Sequence, residues 1–277
     1  MTARAIEGVP VDWQIQLSRG ADQSAVLESL AHTFPNKRVE TVAYADAAGL
    51  TATTGGTVQT TGPAKVIGIG PEYMAAFPSE IRLLTCSSKG ILVAQQTAAN
   101  LHVKEGDTLT IIRQSLAPVE LKVDGTVDLP YADSFFQSVG AAPGNAPQTP
   151  PDNVLLIPEP EWHSIFEPQA AIHPDTVRVQ LHVRLGAPLP PDPSEAYLAA
   201  KRLANHVEAI SAGGATVGNN LAARLEAVRS DALYARVLFL FLGFPGVALA
   251  VLLTLLVVTS GRKHHLQEQA LLRIRGA

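Results

Sequence analysis

The stretch VLFLFLGFPGVALAVLLTLLVVTS, residues 237–260, decides the fold class of this chain because it runs for 24 residues without a charge. A helix of that length spans roughly 36 Å at about 1.5 Å per residue, which exceeds the ~30 Å hydrocarbon core of a bilayer. Pro245 cannot donate its backbone hydrogen bond, so we expect a kink there. The stretch predicts a transmembrane helix, and the alternative is an unusually apolar helix of a soluble core.

The charges on either side of this stretch predict its orientation. Residues 261–277 carry four Lys and Arg against the single acid Glu268, a net charge of +3, whereas the charges of residues 226–236, before the span, cancel. Because excess basic residues stay in the cytoplasm, we expect residues 261–277 on the cytoplasmic side of the cell membrane and residues 1–236 on its outer side. The whole chain carries −4, which leaves −7 on residues 1–236 and disfavours nucleic acid or anionic lipid as their ligand.

Export of residues 1–236 requires a signal that the N-terminus does not supply. Residues 1–17 contain no apolar run long enough for a signal peptide or a membrane helix. We therefore expect an export element upstream, and a chain that is a fragment of a longer protein.

Residues 1–218 predict an α+β extracytoplasmic domain. Residues 11–17 (VDWQIQL) alternate as a half-buried strand does, and a helix capped by Asp22 and a strand at 39–44 follow. The same order recurs at 177–217, where Asp192 caps the helix. The two units predict one split strand-helix-strand subdomain with a β-rich subdomain inserted at about 50–170. Within the insert, strands are predicted at 65–69, 91–94, 108–113, 119–127 and 153–157, a short helix at 95–101, and core anchors at Trp162, Ile165 and Phe166.

Residues 219–236 predict a stalk helix. Apolar residues recur there at helical spacing, and the segment contains neither Gly nor Pro. Asn219 or Asn220 can cap a single helix that continues into the membrane span. Such a helix would couple the domain mechanically to the membrane, because all its backbone hydrogen bonds lie within the segment.

Catalytic motifs are absent from the sequence. Gly68 and Gly70 lack the third glycine of a phosphate loop, and neither GxxxxGK[ST] nor GxSxG occurs. The histidines show no zinc-binding spacing. The single cysteine, Cys86, predicts a small buried apolar residue, with a reactive thiol as the alternative. We expect no catalytic, cofactor-binding or metal-binding residues, and no ATP hydrolysis by this chain.

Two stretches resemble a known family. Glu268, the run ALLR at 270–273 and the pair Gly276-Ala277 resemble the cytoplasmic signature of the FtsX-like permeases of ABC transporters, which include macrolide-exporter and lipoprotein-release permeases. GILVAQQTAANLHVKEGDTLTI, residues 90–111, resembles an element of the family's extracytoplasmic domain, and residues 11–17 and 123–128 are similar too.

The resemblance implies a function and partners. In the family, the segment after the second membrane helix forms a coupling helix that docks on the ATPase subunit. Transferred to this chain, the contacts would be Glu268, Ala270, Leu271, Arg273 and Gly276. The implied partners are a separate ABC ATPase subunit in the cytoplasm, a second permease copy or homologue, and membrane lipid, with no cofactor and no nucleic acid.

The predicted function is that of a permease subunit that relays ATPase-driven motion through the stalk to a substrate or partner outside the membrane. Two alternatives stay open. Residues 261–277 could be a basic stop-transfer flank with no docking role. The chain could also be a single-pass anchored binding or sensor protein.

Overall fold

The computed structural model describes residues 2–18, 20–34, 37–131, 135–136, 139–140, 151–186, 188–211 and 213–274, with the backbone alone at residues 4, 5, 236 and 259–274. The chain divides into two compact units, Met1–Glu226 and Ala227–Ala277.

Strands and helices alternate irregularly along the first unit. Its described strands are β1 Trp13–Leu17, β2 Arg38–Ala47, β3 Gly49–Thr54, β4 Thr57–Thr60, β5 Ala64–Ile69, β6 Arg82–Leu83, β7 Leu92–Ala94, β8 Thr108–Ile112, β9 Val119–Lys122, β10 Gly125–Asp128, β11 Val154–Pro158, β12 Val177–Arg184 and β13 Ala215–Asn219. The described helices are α1 Thr2–Glu7, α2 Gln23–Thr33, α3 Tyr73–Ala76, α4 Gln95–Leu101, α5 Glu159–Ile172, α6 Pro193–Ile210 and α7 Asn220–Ile274. The fold class is mixed α/β, as the sequence predicts.

The split subdomain closes in one sheet. Among the described residues, nine strands pair in the order β13-β1-β12-β2-β5-β11-β7-β10-β6. Strand β1 lies antiparallel between β12 and β13, and β12 lies antiparallel to β2. The two strand-helix-strand units, far apart in sequence, therefore meet through main-chain hydrogen bonds, as predicted.

Both predicted helix caps are present. The Asp22 carboxylate accepts hydrogen bonds from the backbone N–H groups of Ser24 at 2.9 Å and Ala25 at 3.4 Å. The Asp192 carboxylate accepts from Ser194 at 2.9 Å and Glu195 at 3.0 Å. Each aspartate satisfies N–H groups that have no partner inside the first helical turn, which fixes where α2 and α6 begin.

The inserted segment is β-rich, but it shares a sheet with the split subdomain. Strands β5, β6, β7, β10 and β11 extend the nine-stranded sheet, whereas β4-β3-β8-β9 form a second sheet in the described part of the chain. Strand β2 makes the connection because one of its edges pairs with β12 and the other with β5. The boundary of an inserted subdomain at about 50–170 stays a prediction.

The single strand predicted at 119–127 is wrong, because the chain changes sheets within it. Strand β9 belongs to the second sheet and β10 to the first. Between them, the Asp124 carboxylate accepts the backbone N–H of Ile91 at 2.8 Å. At Gly125, a Cβ would lie 2.6 Å from the Thr85 hydroxyl, so this crossing accepts no side chain. A local alternation of apolar residues carries no information about which sheet each half joins.

The stretch 90–111 that carries the resemblance is a structural module. Gly90 and Gly106 adopt left-handed backbone conformations, with φ +86° and +91°, which other residues rarely adopt. The Asp107 carboxylate accepts the Lys104 N–H at 2.9 Å and closes the turn before β8. The predicted short helix coincides with α4. The residues of this stretch therefore shape the backbone of the module.

The core anchors predicted from sequence are buried. Trp162, Ile165 and Phe166 are at most 5% exposed, and the Trp162 indole N–H donates to the Val66 carbonyl at 3.2 Å. Gly68 makes room for that ring, because a Cβ there would lie 2.7 Å from the Trp162 side chain. The prediction of a buried Cys86 is wrong: the thiol is exposed, on the loop between β6 and β7.

Candidate functional site

Helix α7 begins at a polar cap that ties it to α6. The Asn219 side-chain oxygen accepts the N–H of Ala222 at 2.8 Å, and the Asn219 amide donates to the Ala200 carbonyl at 3.0 Å. The cap that the sequence places at Asn219 or Asn220 is therefore formed by Asn219. Asn220 instead donates its side-chain amide to the Val11 carbonyl at 3.1 Å.

Asp12 joins three elements at the same place. Its main-chain carbonyl accepts the N–H of Leu221 in the first turn of α7 at 3.1 Å. Its carboxylate Oδ2 accepts the N–H of Leu185, directly after β12, at 2.6 Å. We call residues 9–12, Leu185 and residues 219–225 the helix root. Asp12 fixes the start of the long helix relative to the central sheet.

The Asp12 carboxyl group is held in a dry environment. Its residue is only 4% exposed, and this desolvation raises the pKa of the carboxyl from 3.8 to about 6. The Leu185 hydrogen bond and the charge of Arg184 act in the opposite direction. The helix root therefore contains a carboxyl group whose proton exchanges at mildly acidic pH.

An apolar cluster surrounds these hydrogen bonds. Its buried members come from the N-terminal segment, α6 and α7: Val9, Ala196, Ala200, Leu221, Ala222 and Leu225. Leu221 and Leu225 are at most 2% exposed, and burial of each leucine side chain stabilises the folded state by about 2 kcal/mol. The Thr2 hydroxyl also donates to the Pro191 carbonyl at 2.5 Å. The N-terminal segment, α6 and the first turns of α7 therefore pack into one cluster.

Helix α7 includes the predicted membrane span. Asn220–Val258, 39 residues, is long and apolar enough to cross a membrane by length and composition, in the part of the chain that the structure describes. Large apolar side chains along it are exposed, such as Phe239 at 82% and Phe241 at 79%. Water would disfavour so many exposed apolar groups, and a bilayer would not.

The sequence-predicted coupling residues lie at the end of the same helix. The backbone of Glu268, Ala270, Leu271 and Arg273 is helical, because α7 continues to Ile274. Gly276 lies outside the described residues. The proposed contacts with an ATPase stay a prediction.

Sequence reasoning missed a buried polar cluster on the central sheet. The Tyr44 hydroxyl lies 3.1 Å from His182 Nε2, and the Tyr73 hydroxyl lies 2.8 Å from His182 Nδ1. A neutral imidazole offers one N–H donor and one acceptor nitrogen, so the two tyrosines can satisfy both ring nitrogens. Complete burial lowers the pKa of His182 to about 3, which keeps the ring neutral.

The position of His182 explains why this cluster was missed. The alternation of VRVQLHV places His182 on the polar face of a half-buried strand. In the structure that face is covered by Phe77 and Phe135, whose ring centroids lie 6.3 and 5.6 Å from His182. The described residues contain no group of three or more His, Cys, Asp or Glu placed to hold a metal ion. The cluster is a structural element of the core.

Comparison with known proteins gives limited similarity. No protein-family model and no curated protein matches the sequence. The periplasmic region of MacB from Actinobacillus actinomycetemcomitans is similar at a TM-score of 0.44 and 10% identity, over 82% of this chain and 97% of that one. A domain assigned to a permease from Porphyromonas gingivalis is similar at a TM-score of 0.36 and 11% identity, over 75% of this chain and 87% of that one.

Both TM-scores lie below 0.5 and both identities are near 10%, so neither similarity assigns a function to this chain.

Proposed function

We propose that this chain is part of the permease subunit of an ABC transporter of the FtsX-like class. In this proposal residues 1–236 lie outside the cell membrane, α7 crosses it, and residues 261–277 dock on a separate cytoplasmic ATPase subunit. A second permease copy or homologue completes the transporter. ATP-driven movement of the ATPase is relayed through α7 to the helix root.

The continuity of α7 carries this proposal. One helix, Asn220–Ile274, contains the capped first turn, the apolar span and the backbone of the predicted coupling residues. After the first turn, where the Leu221 N–H donates to the Asp12 carbonyl, the helix is held by hydrogen bonds within the segment, so a displacement at one end can be transmitted along the axis. A flexible linker, rich in Gly or Ser, would instead absorb the displacement. The sequence resemblance at residues 268–277 supplies the identity of the partner.

Replacement of Glu268 tests the docking role. Glu268→Lys reverses the only acidic charge of residues 261–277, and a like-charge contact at an interface can cost several kcal/mol. In the parent transporter we expect normal membrane insertion, because the change only adds positive charge inside. Co-purification of the ATPase subunit should fall, or its ATP hydrolysis should uncouple from transport.

Gln267→Lys provides the matched control, since it adds positive charge one residue away, about 100° around the helix. Unchanged ATPase association and unchanged transport in Glu268→Lys would contradict the docking role. That result would favour the alternative, a single-pass anchored binding or sensor protein. Equal losses in both variants would point to the added charge itself and also contradict a specific contact.

A further inference from the structure

An apolar pocket opens where two parallel strands of the central sheet end. Strands β5 and β11 run parallel, with Ile69 beside Pro158 at their carboxyl ends. The pocket beyond them has a volume of about 460 Å³. Its apolar lining consists of Ile69, Pro71, Met74, Leu92, Pro158 and Pro160. This volume accommodates apolar side chains of a ligand, and it falls in the range of known ligand pockets.

Two carboxylates lie beside Gly70, one of the residues that line this pocket. Gly70 lines it, and a Cβ built on Gly70 would lie 3.5 Å from Glu40 Oε2 and 3.6 Å from Glu159 Oε2. Glu72, which is exposed, directly precedes α3. Partial burial, followed by the charges of Glu72 and Glu159, raises the pKa of Glu40. The carboxylates of Glu72 and Glu159 therefore repel that of Glu40 next to the pocket.

Few basic groups of the chain offset this charge. Within the described residues, Glu40 and Glu72 form no ion pair within 4.0 Å, and Glu159 approaches only His163, at 3.9 Å. Arg38 donates to the carbonyls of Ala75 and Ala76, at 3.3 and 3.4 Å, at the end of α3. Lys89 lies on the pocket lining. Glu40, Glu72 and Glu159 therefore form a negative surface beside an apolar cavity.

We propose that this pocket is a docking site for a segment of a partner protein that presents an apolar side chain flanked by two or more Lys or Arg residues. The apolar side chain fills the cavity beside Met74, and the basic groups meet Glu40, Glu72 and Glu159. Three carboxylates beside one cavity, on β2, before α3 and at the start of α5, favour a ligand with several positive charges, which a polypeptide segment supplies and a small monovalent amine does not. This inference goes beyond the proposed transport function, because it needs neither the ATPase nor the orientation in the membrane.

A synthetic peptide tests the proposal on the full chain in nanodiscs of zwitterionic lipid, with empty nanodiscs as the blank. The probe is a short, end-blocked, fluorescent peptide of alternating lysine and leucine, and its binding is followed by anisotropy. Glu40→Gln combined with Glu159→Gln should weaken binding about tenfold and reduce the dependence of affinity on salt, because two rim charges are lost. Glu105→Gln combined with Glu120→Gln removes two exposed carboxylates elsewhere and should leave binding unchanged.

The exposed thiol of Cys86 locates the bound peptide. Cys86 is the only cysteine and lies on the same loop as Lys89, so a bimane label there should be quenched by a tryptophan in the peptide. Intrinsic fluorescence melting checks that the glutamine variants are folded. Equal weakening in the control variant, or equal binding of a lysine and serine peptide without apolar groups, would overturn the proposal. Full competition by a small amphipathic amine would overturn the polypeptide as occupant.

Discussion

Replacing Asp12 with asparagine should change how the stability of the first unit depends on pH. Asp12 is 4% exposed, and its carboxylate accepts a hydrogen bond from Leu185. The side-chain oxygen of asparagine can accept the same bond, so Asp12→Asn removes the titration and keeps the acceptor. Any change in the slope of stability against pH then reports on the Asp12 carboxyl group alone.

The magnitude follows from the pKa of Asp12. Folding raises this pKa from 3.8 to about 6, so the folded state binds the proton more tightly than the unfolded state does. The stability that Asp12 contributes is therefore present below about pH 4 and is lost as the pH rises through 6. A difference of about two pKa units at 1.36 kcal/mol each corresponds to ~3 kcal/mol. At pH 4 the unfolded carboxyl is already partly ionised, so between pH 4 and 7 the free energy of unfolding of Asp12→Asn minus that of the wild type should rise by about 2 kcal/mol.

Urea unfolding in detergent, followed by tryptophan fluorescence, measures this difference. The chain has two tryptophans, Trp13 and Trp162, and both are at most 2% exposed in the first unit. The signal therefore reports on that unit and not on the membrane span. A difference between variant and wild type that stays constant from pH 4 to 7, or falls, would refute the burial argument for Asp12.

Two further substitutions test the buried cluster and the helix cap. Tyr73→Phe leaves His182 Nδ1 without its hydroxyl partner in the core, so the free energy of unfolding should fall by about 1–3 kcal/mol. The control is Tyr131→Phe, which should change the free energy of unfolding little because Tyr131 is 37% exposed. Asn219→Ala removes the cap of α7, so the free energy of unfolding should fall by about 1 kcal/mol and amide hydrogen exchange at Ala222 should become faster. Unchanged exchange at Ala222 would contradict the capping role of Asn219.

Local chemistry explains what the sequence predicts well. Asp22 and Asp192 cap helices through contacts within three residues, and α4 and the apolar span follow from short-range patterns. The meeting of the two strand-helix-strand units was predictable because the same order of elements occurs twice. The apolar length of residues 237–260 likewise needs no knowledge of the rest of the fold.

Long-range packing explains what the sequence does not predict. His182 stands at a position that alternation assigns to solvent, and only the tyrosines and phenylalanines of distant segments cover it. The change of sheet at Asp124 depends on Ile91, 33 residues away. The convergence of Glu40 and Glu159 at Gly70 joins residues from separate strands and helices. None of these contacts leaves a periodic signal in the local sequence.

Transmission along α7 is the central claim, and a helix-breaking substitution tests it most directly. Leu233 lies between the helix root and the apolar span and is 53% exposed. Proline there removes a backbone hydrogen bond and destabilises the helix locally by about 3 kcal/mol, whereas Leu233→Ala preserves the helix. In the parent transporter, amide hydrogen exchange at residues 9–12 and 219–225 should change when ATP binds the associated ATPase.

We expect this ATP-dependent change in the wild type and in Leu233→Ala, and its loss in Leu233→Pro with the ATPase still bound. An unaltered change in Leu233→Pro, or none in the wild type, would contradict transmission through the helix.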